Sequence, residues 1–158
     1  MKAIIYTDGS FYQKSENEDC RAGYGAYIIT EKGRVYEFAR PGADINSGDA
    51  ELSCIENCIK FSLLKEIKEF VIFCDCKYVY HAFLRNETDK RIKNIIHKND
   101  SPNRALHNKA HYLAQKGAAG EYIFQRAKEI EETMLGECST MFTHFEMYSK
   151  QQKSAKFA

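Results

Sequence analysis

Three acidic residues stand where they could work together: Asp8, Glu51 and Asp75. Asp8 closes a short apolar run at residues 3–7, Asp75 closes a second at residues 70–74, and Glu51 opens a helical pattern between them. Carboxylates brought to one place repel and resist ionisation unless something positive compensates them. Divalent cations do this, and oxygen ligands without thiolate partners suit Mg²⁺ or Mn²⁺. Two such ions stabilise the attacking and leaving oxygens of a phosphoryl displacement. Each acid alone is ordinary: Asp8-Gly9-Ser10 reads as a turn, an acid in a helix's first turn is favoured by the helix dipole, and Asp75 suits a loop. The set carries the signal, because all three fall in the right kind of element.

The elements that must position them follow from periodicity. Residues 3–7 and 70–74 are continuous apolar runs of strand length, suited to a sheet covered on both faces. Residues 23–30 and 35–39, joined by a turn at 31–34, complete an antiparallel meander with the first strand. Leu52, Ile55, Ile59 and Leu63 recur at helical spacing, with Asp49 placed as an N-cap or first-turn acid. Strand, helix and strand in this order favour parallel pairing of the first and fourth strands, so their C-terminal ends lie together. Ligand sites form at that edge. Residues 77–84 read as a short helix, 91–97 as a fifth strand, and 104–116 and 121–135 as helices. Residues 13–22 read as a polar loop, and the tail from Ser149 as a frayed end.

Hydrophobic residues make up 44% and charged residues 28% of the 158, a globular composition with no apolar run long enough to span a membrane. The N-terminus turns acidic at Asp8 before the apolar core of a signal peptide could form, so a cytoplasmic location is expected. The six cysteines lack the paired spacing of a zinc site and are expected as reduced thiols, mostly packed as small apolar groups. Charge is uneven: residues 85–116 hold eight basic and three acidic residues, while the flanking segments are slightly acidic. Such a segment is either a solvated face or a phosphate-tracking surface.

Several motifs resemble type I ribonucleases H. Tyr6-Thr7-Asp8-Gly9-Ser10 is similar to that family's opening motif, and Ala22-Gly23-Tyr24-Gly25-Ala26 to its glycine-rich second strand. Ala50-Glu51-Leu52 resembles the family's glutamate-bearing helix, and Cys74-Asp75-Cys76-Lys77-Tyr78-Val79 its aspartate-bearing strand end. Asn108-Lys109-Ala110-His111-Tyr112-Leu113-Ala114 resembles its last helix. The resemblance implies an α/β fold of three layers, a five-stranded mixed sheet flanked by helices, here with an extra C-terminal helical segment. It implies an endonuclease that hydrolyses the RNA strand of RNA–DNA hybrids with two Mg²⁺ or Mn²⁺ ions and no small-molecule cofactor. By it, Asp8, Glu51, Asp75 and His111 are catalytic metal ligands, and Gly9, Ser10, Cys76 and Lys77 line the substrate groove.

The sequence departs from the family at three places. The family's fourth acid falls at His111, whose softer imidazole favours Mn²⁺ relative to Mg²⁺ and whose protonation in acid would lower activity. The stretch between Asp75 and His111 is short, so Lys90, Arg91, Lys93, Lys98 and Arg104 are left to grip substrate. Ser47-Gly48-Asp49 replaces the expected asparagine and adds negative charge. The family's mobile loop histidine matches His97 or His107, with a slight preference for His97. The chain is expected as one domain, residues 1–158, with a core at 1–118 and a helical extension at 119–158. Two alternatives stay open: a nucleic-acid-binding module of this fold with weakened catalysis, and a nuclease of this fold with another nucleic-acid substrate.

Overall fold

The computed structural model describes residues 1–12, 21–43, 46–151 and 157. Its sheet has six strands: β1 (Lys2–Tyr12), β2 (Arg21–Thr30), β3 (Val35–Gly42), β4 (Glu69–Cys74), β5 (Ile92–His97) and β6 (Ile123–Arg126). Their order is β5-β4-β1-β2-β3-β6. β4 lies parallel to β1 and to β5, while the β1-β2-β3-β6 half is antiparallel. The chain passes from β3 to β4 through α1 (Ser47–Leu63), whose 3.6-residue apolar pattern marks it as a helix. Asn46 caps α1 by accepting from the Asp49 N–H, and Asp49 accepts in return from the Asn46 amide. The cap is therefore Asn46, with Asp49 in the first turn.

Side chains alternate across the sheet and build two cores. Ala3 and Ile5 face α1 and α2 (Lys77–Leu84), with Cys54, Ile55, Cys58, Ile72 and Val79 buried around them. Ile4 and Tyr6 face the other layer, made by α3 (Ala105–Ala118) and the short helices α4 (Lys128–Thr133), α5 (Glu137–Thr143) and α6 (Phe145–Lys150). Five cysteines are described and all are free thiols, four of them buried; Cys20 lies outside the described residues.

The three-layer α/β architecture is as expected, with three differences in detail. First, β1 does not end at Asp8. It runs on to Tyr12, paired with β2 to Arg21, while its pairing with β4 stops at Tyr6. Asp8-Gly9-Ser10 is therefore extended strand rather than a turn, because β2 offers ladder partners where β4 offers none. Second, residues 121–135 are not one helix, and the extension begins with a sixth strand. Ile123, Phe124, Gln125 and Arg126 pair antiparallel with Ala39, Phe38, Glu37 and Tyr36. Phe124 lays its ring 5.0 Å from Phe38 and 5.0 Å from Phe61, giving the segment a packed partner that helical periodicity alone does not reveal. Third, Arg21 and Ala22 belong to β2; the rest of the expected loop, residues 13–20, lies outside the described residues. Among the described residues no helix is long and apolar enough to cross a membrane.

Candidate active site

Strand parity decides where the first acid points. Asp8 pairs with Gly25 on β2, so it shares the α3 face with Ile4 and Tyr6. It lies beyond the last β1–β4 pair, where the parallel half of the sheet opens. Asp75 follows β4 directly and lies beside that opening. Glu51 comes from the opposite layer, in the second turn of α1. Its approach depends on Gly9: a Cβ there would lie 2.6 Å from the Glu51 backbone nitrogen and 2.8 Å from the Ala50 carbonyl carbon. Glycine lets the start of α1 rest on β1.

The second helix is seated the same way. A Cβ on Gly25 would lie 2.2 Å from the Ala114 nitrogen and 2.3 Å from the Ala110 carbonyl oxygen. The missing side chain brings the α3 backbone onto β2 and carries two histidines, one turn apart, to the acids. His111 donates from Nδ1 to Oδ2 of Asp8, while its Nε2 accepts from the Gln115 amide at 3.2 Å. His107, 3% exposed, places Nε2 3.6 Å from Oδ2 of Asp75. Lys98, in the 3₁₀ turn after β5, reaches the same oxygen at 3.3 Å.

These residues line one cleft of about 360 Å³, with Asp8, Gly9, Glu51, Asp75, Lys98, His107, Asn108 and His111 in its wall. Its electrostatics are uneven. The His107 ring facing it and the charge of Lys98 hold the Asp75 carboxyl well below the usual carboxylate range, against the opposing effect of burial. Burial, reinforced by Asp8 and Asp75, pushes the Glu51 carboxyl up to about 10. One Glu51 oxygen, Oε2, is buried with no hydrogen-bond partner among the described residues, and so is Nδ1 of His107. Asp8, Asp75 and His107 offer donor atoms that all lie within 4.8 Å of one another. A carboxyl held neutral at that depth and an unpartnered oxygen beside two further acids suit a hard or borderline divalent cation, which would restore the charge balance.

A family model described as RNase H matches residues 1–127. The chain belongs to the ribonuclease H family. Solved ribonucleases H share its fold. The RNase H1 of the halophilic archaeon Halobacterium salinarum NRC-1 aligns at 15% identity and a TM-score of 0.56, over 74% of this chain and 97% of that one. LC9-RNase H1, a type 1 RNase H with the type 2 active-site motif, aligns at 11% identity and 0.60, over 97% of this chain and 88% of that one. LC11-RNase H1, isolated from compost by a metagenomic approach, aligns at 18% and 0.52, over 75% and 96%. No curated protein matches in sequence.

Within this ribonuclease H fold, Asp8, Glu51, Asp75 and His111 meet in the cleft, and Gly9 lines it. Ser10 continues β1 beside it, half-buried. Cys76 precedes α2 and packs partly against the α1-side core, and Lys77 begins α2, exposed. His97 is not in the cleft wall: its Nδ1 accepts from the Asn99 N–H, and its ring meets Phe157 edge-on at 5.0 Å. The histidine that reaches the acids from this side is His107, and its spacing of four from His111 is the sequence signal that could find it. Lys98, expected in a basic grip, instead sits on Asp75. Arg91 and Lys93 are likewise turned to acids, Asp89 and Glu69. Asp49 accepts from Asn46 and from the Tyr78 hydroxyl, so the added charge at this helix start is partly answered locally.

Proposed function

We propose that this protein is an endoribonuclease that hydrolyses the RNA strand of RNA–DNA hybrids by a two-metal-ion mechanism, residues 1–158 acting as one domain. The observation that carries the reading is the convergence of Asp8, Glu51 and Asp75, from three separate elements, on one cleft together with His107 and His111. Asp8, Glu51, Asp75 and His111 would hold the ions, Mg²⁺ or Mn²⁺, whose bound charge would offset that of the attacking and leaving oxygens. Glu51 would join them by releasing to solvent the proton that its burial otherwise retains. Asp8 and His111, which contact each other in the metal-free fold, would exchange that contact for an ion. Asp75, already ionised against His107 and Lys98, keeps a fixed orientation. Lys98 adds a positive group in the cleft wall within reach of a phosphate. Gly9, Ser10, Cys76 and Lys77 border the path of the hybrid, and 2′-hydroxyls along its minor groove distinguish the RNA strand.

A second reading rests on the same contacts. His111 on Asp8 and Lys98 with His107 on Asp75 give the acids internal partners, as a binding module that no longer turned over would. Labelled RNA–DNA hybrid, duplex RNA and duplex DNA, each incubated in Mg²⁺ and in Mn²⁺, separate the two. Internal cleavage of the RNA strand of the hybrid supports the enzyme. Hybrid binding without cleavage in either metal supports the module, and cleavage of DNA alone removes the hybrid assignment.

A further inference from the structure

A second cleft is larger than the one that holds the acids. It measures about 720 Å³ and lies between the outer side of α3 and the β6–α4 segment, with Tyr27 and Glu37 in its floor. The two clefts are neighbours, because Asn108 stands in the wall of both. The same helix turns from one to the other: His107 and His111 face the acids, and the next residues along, Asn108 and Tyr112, face the larger cleft. Asn108 therefore joins the two clefts along α3.

The lining has the makings of a single-strand path. Tyr112 is 58% exposed, and its ring lies under the Lys116 ammonium at 4.8 Å, a flat aromatic platform already flanked by positive charge. Lys109 and Lys128 stand on opposite walls and make no ion pair among the described residues. Arg126 is committed to Glu131 through two hydrogen bonds. The floor is polar: the Tyr27 hydroxyl donates to Oε2 of Glu37 at 3.1 Å, and the Gln125 amide donates to Oε1. Glu37, so engaged, is a poor neighbour for a phosphate but a good acceptor for a ribose hydroxyl. Aromatic platforms for bases and lysines for phosphates are how single-stranded nucleic acid is held.

We infer that this second cleft binds single-stranded RNA running on from the scissile strand, with a base stacked on Tyr112, phosphates on Lys109 and Lys128, and ribose hydroxyls over Glu37 and Gln125. The inference rests on the proposed cleavage of the RNA strand of a hybrid, since that strand is the one that passes the acids. It makes the enzyme prefer hybrids whose RNA continues past the duplex.

Fluorescence anisotropy in EDTA tests this without turnover. The ligands are a blunt hybrid, the same hybrid with a short single-stranded RNA extension at one end or the other, and the same with a DNA extension. An RNA extension at one of the two ends should tighten binding about tenfold. Tyr112→Ala should abolish that gain while leaving the melting temperature and the affinity for blunt hybrid in place. Lys109→Gln with Lys128→Gln should lower the salt slope of binding to the extended hybrid by about 1.4. No gain from RNA at either end, an equal gain from DNA, or a gain that survives Tyr112→Ala overturns the inference. Cleavage of blunt hybrid is scored separately. If it is absent while the gain holds, the proposed reaction fails and this cleft stands; if it is present without the gain, the reverse follows.

Discussion

Gly25→Ala is a change far too small to touch any substrate, yet it should disable the site. The added Cβ would sit 2.2 Å from the Ala114 nitrogen and 2.3 Å from the Ala110 oxygen, where ordinary contact begins at 3.4 Å. Both obstructing atoms are backbone, so no rotamer relieves the clash and α3 must move away by about 1 Å. Overpacking of this kind costs about 3 kcal/mol, and the reduced freedom of the unfolded chain returns less than about 1 kcal/mol. A net loss near 2 kcal/mol should lower the melting temperature by roughly 4–8 °C in a chain of this size. The protein stays folded at room temperature, so the activity loss should come from geometry. His107 and His111 ride on α3, and a displacement of 1 Å in a catalytic group costs about a hundredfold in rate. Thermal unfolding and initial rates of hybrid cleavage, on the same preparation, measure both quantities. Removing the Ala114 side chain should not rescue the variant, because the obstruction is the helix backbone. Unchanged melting and activity in Gly25→Ala, or rescue by Ala114→Gly, would refute the proposed seating of α3.

Further outcomes follow from the cleft and the sixth strand. Glu51 has a carboxyl pushed up to about 10 in the metal-free fold, so its stabilising neutral form is complete below the ordinary carboxylate range and is lost as pH rises toward 10. Metal-free Glu51→Gln should therefore melt higher than the parent at neutral pH and lose the parent's gain in melting temperature on adding Mn²⁺; a lower metal-free melting temperature would contradict this. Asp75 is shifted the opposite way, so its contribution is present above about pH 4 and lost in more acid solution, and His107→Ala should reduce that acid-side slope of stability. His111→Ala should raise the Mn²⁺ concentration needed for half-maximal activity by about tenfold or more, measured by metal titration of the cleavage rate; an unchanged requirement removes His111 from the site. Phe124→Ala should cost about 1–2 kcal/mol in urea unfolding by stripping the aromatic contacts of β6, and an unchanged midpoint would mean that the sixth strand is not held through that ring.

Most of what positions the acids was legible in the chain because it is local or periodic. The apolar runs before Asp8 and Asp75, and the helical repeat after Glu51, are enough to bring three carboxylates to one sheet edge. What escaped depends on tertiary partners. Residues 123–126 carry apolar groups that also fit a helix, and only Phe38 and Phe61, far away in sequence, make a strand of them. Asp8-Gly9-Ser10 has turn composition, but an open β2 edge keeps it extended. His97 and His107 are indistinguishable as residue types. The direction of α3 over Gly25 turns His107 toward the acids, while the 3₁₀ turn at Lys98–Asp100 ties His97 to its own backbone. Lys98 illustrates the same limit: a basic run suggests a surface for phosphates, but the turn that carries it delivers its ammonium to Asp75.

On the proposed reading, the acids in the smaller cleft bring about cutting of the RNA strand of a hybrid. Single-turnover cleavage of an RNA-labelled hybrid in Mn²⁺, comparing the protein with Asp8→Asn under conditions where both bind the hybrid, tests it most directly. The parent protein should make internal cuts in the RNA strand, at a rate that falls by more than about a hundredfold in the variant. Equal rates from the two proteins, or no cuts from either while the hybrid is bound, would contradict it.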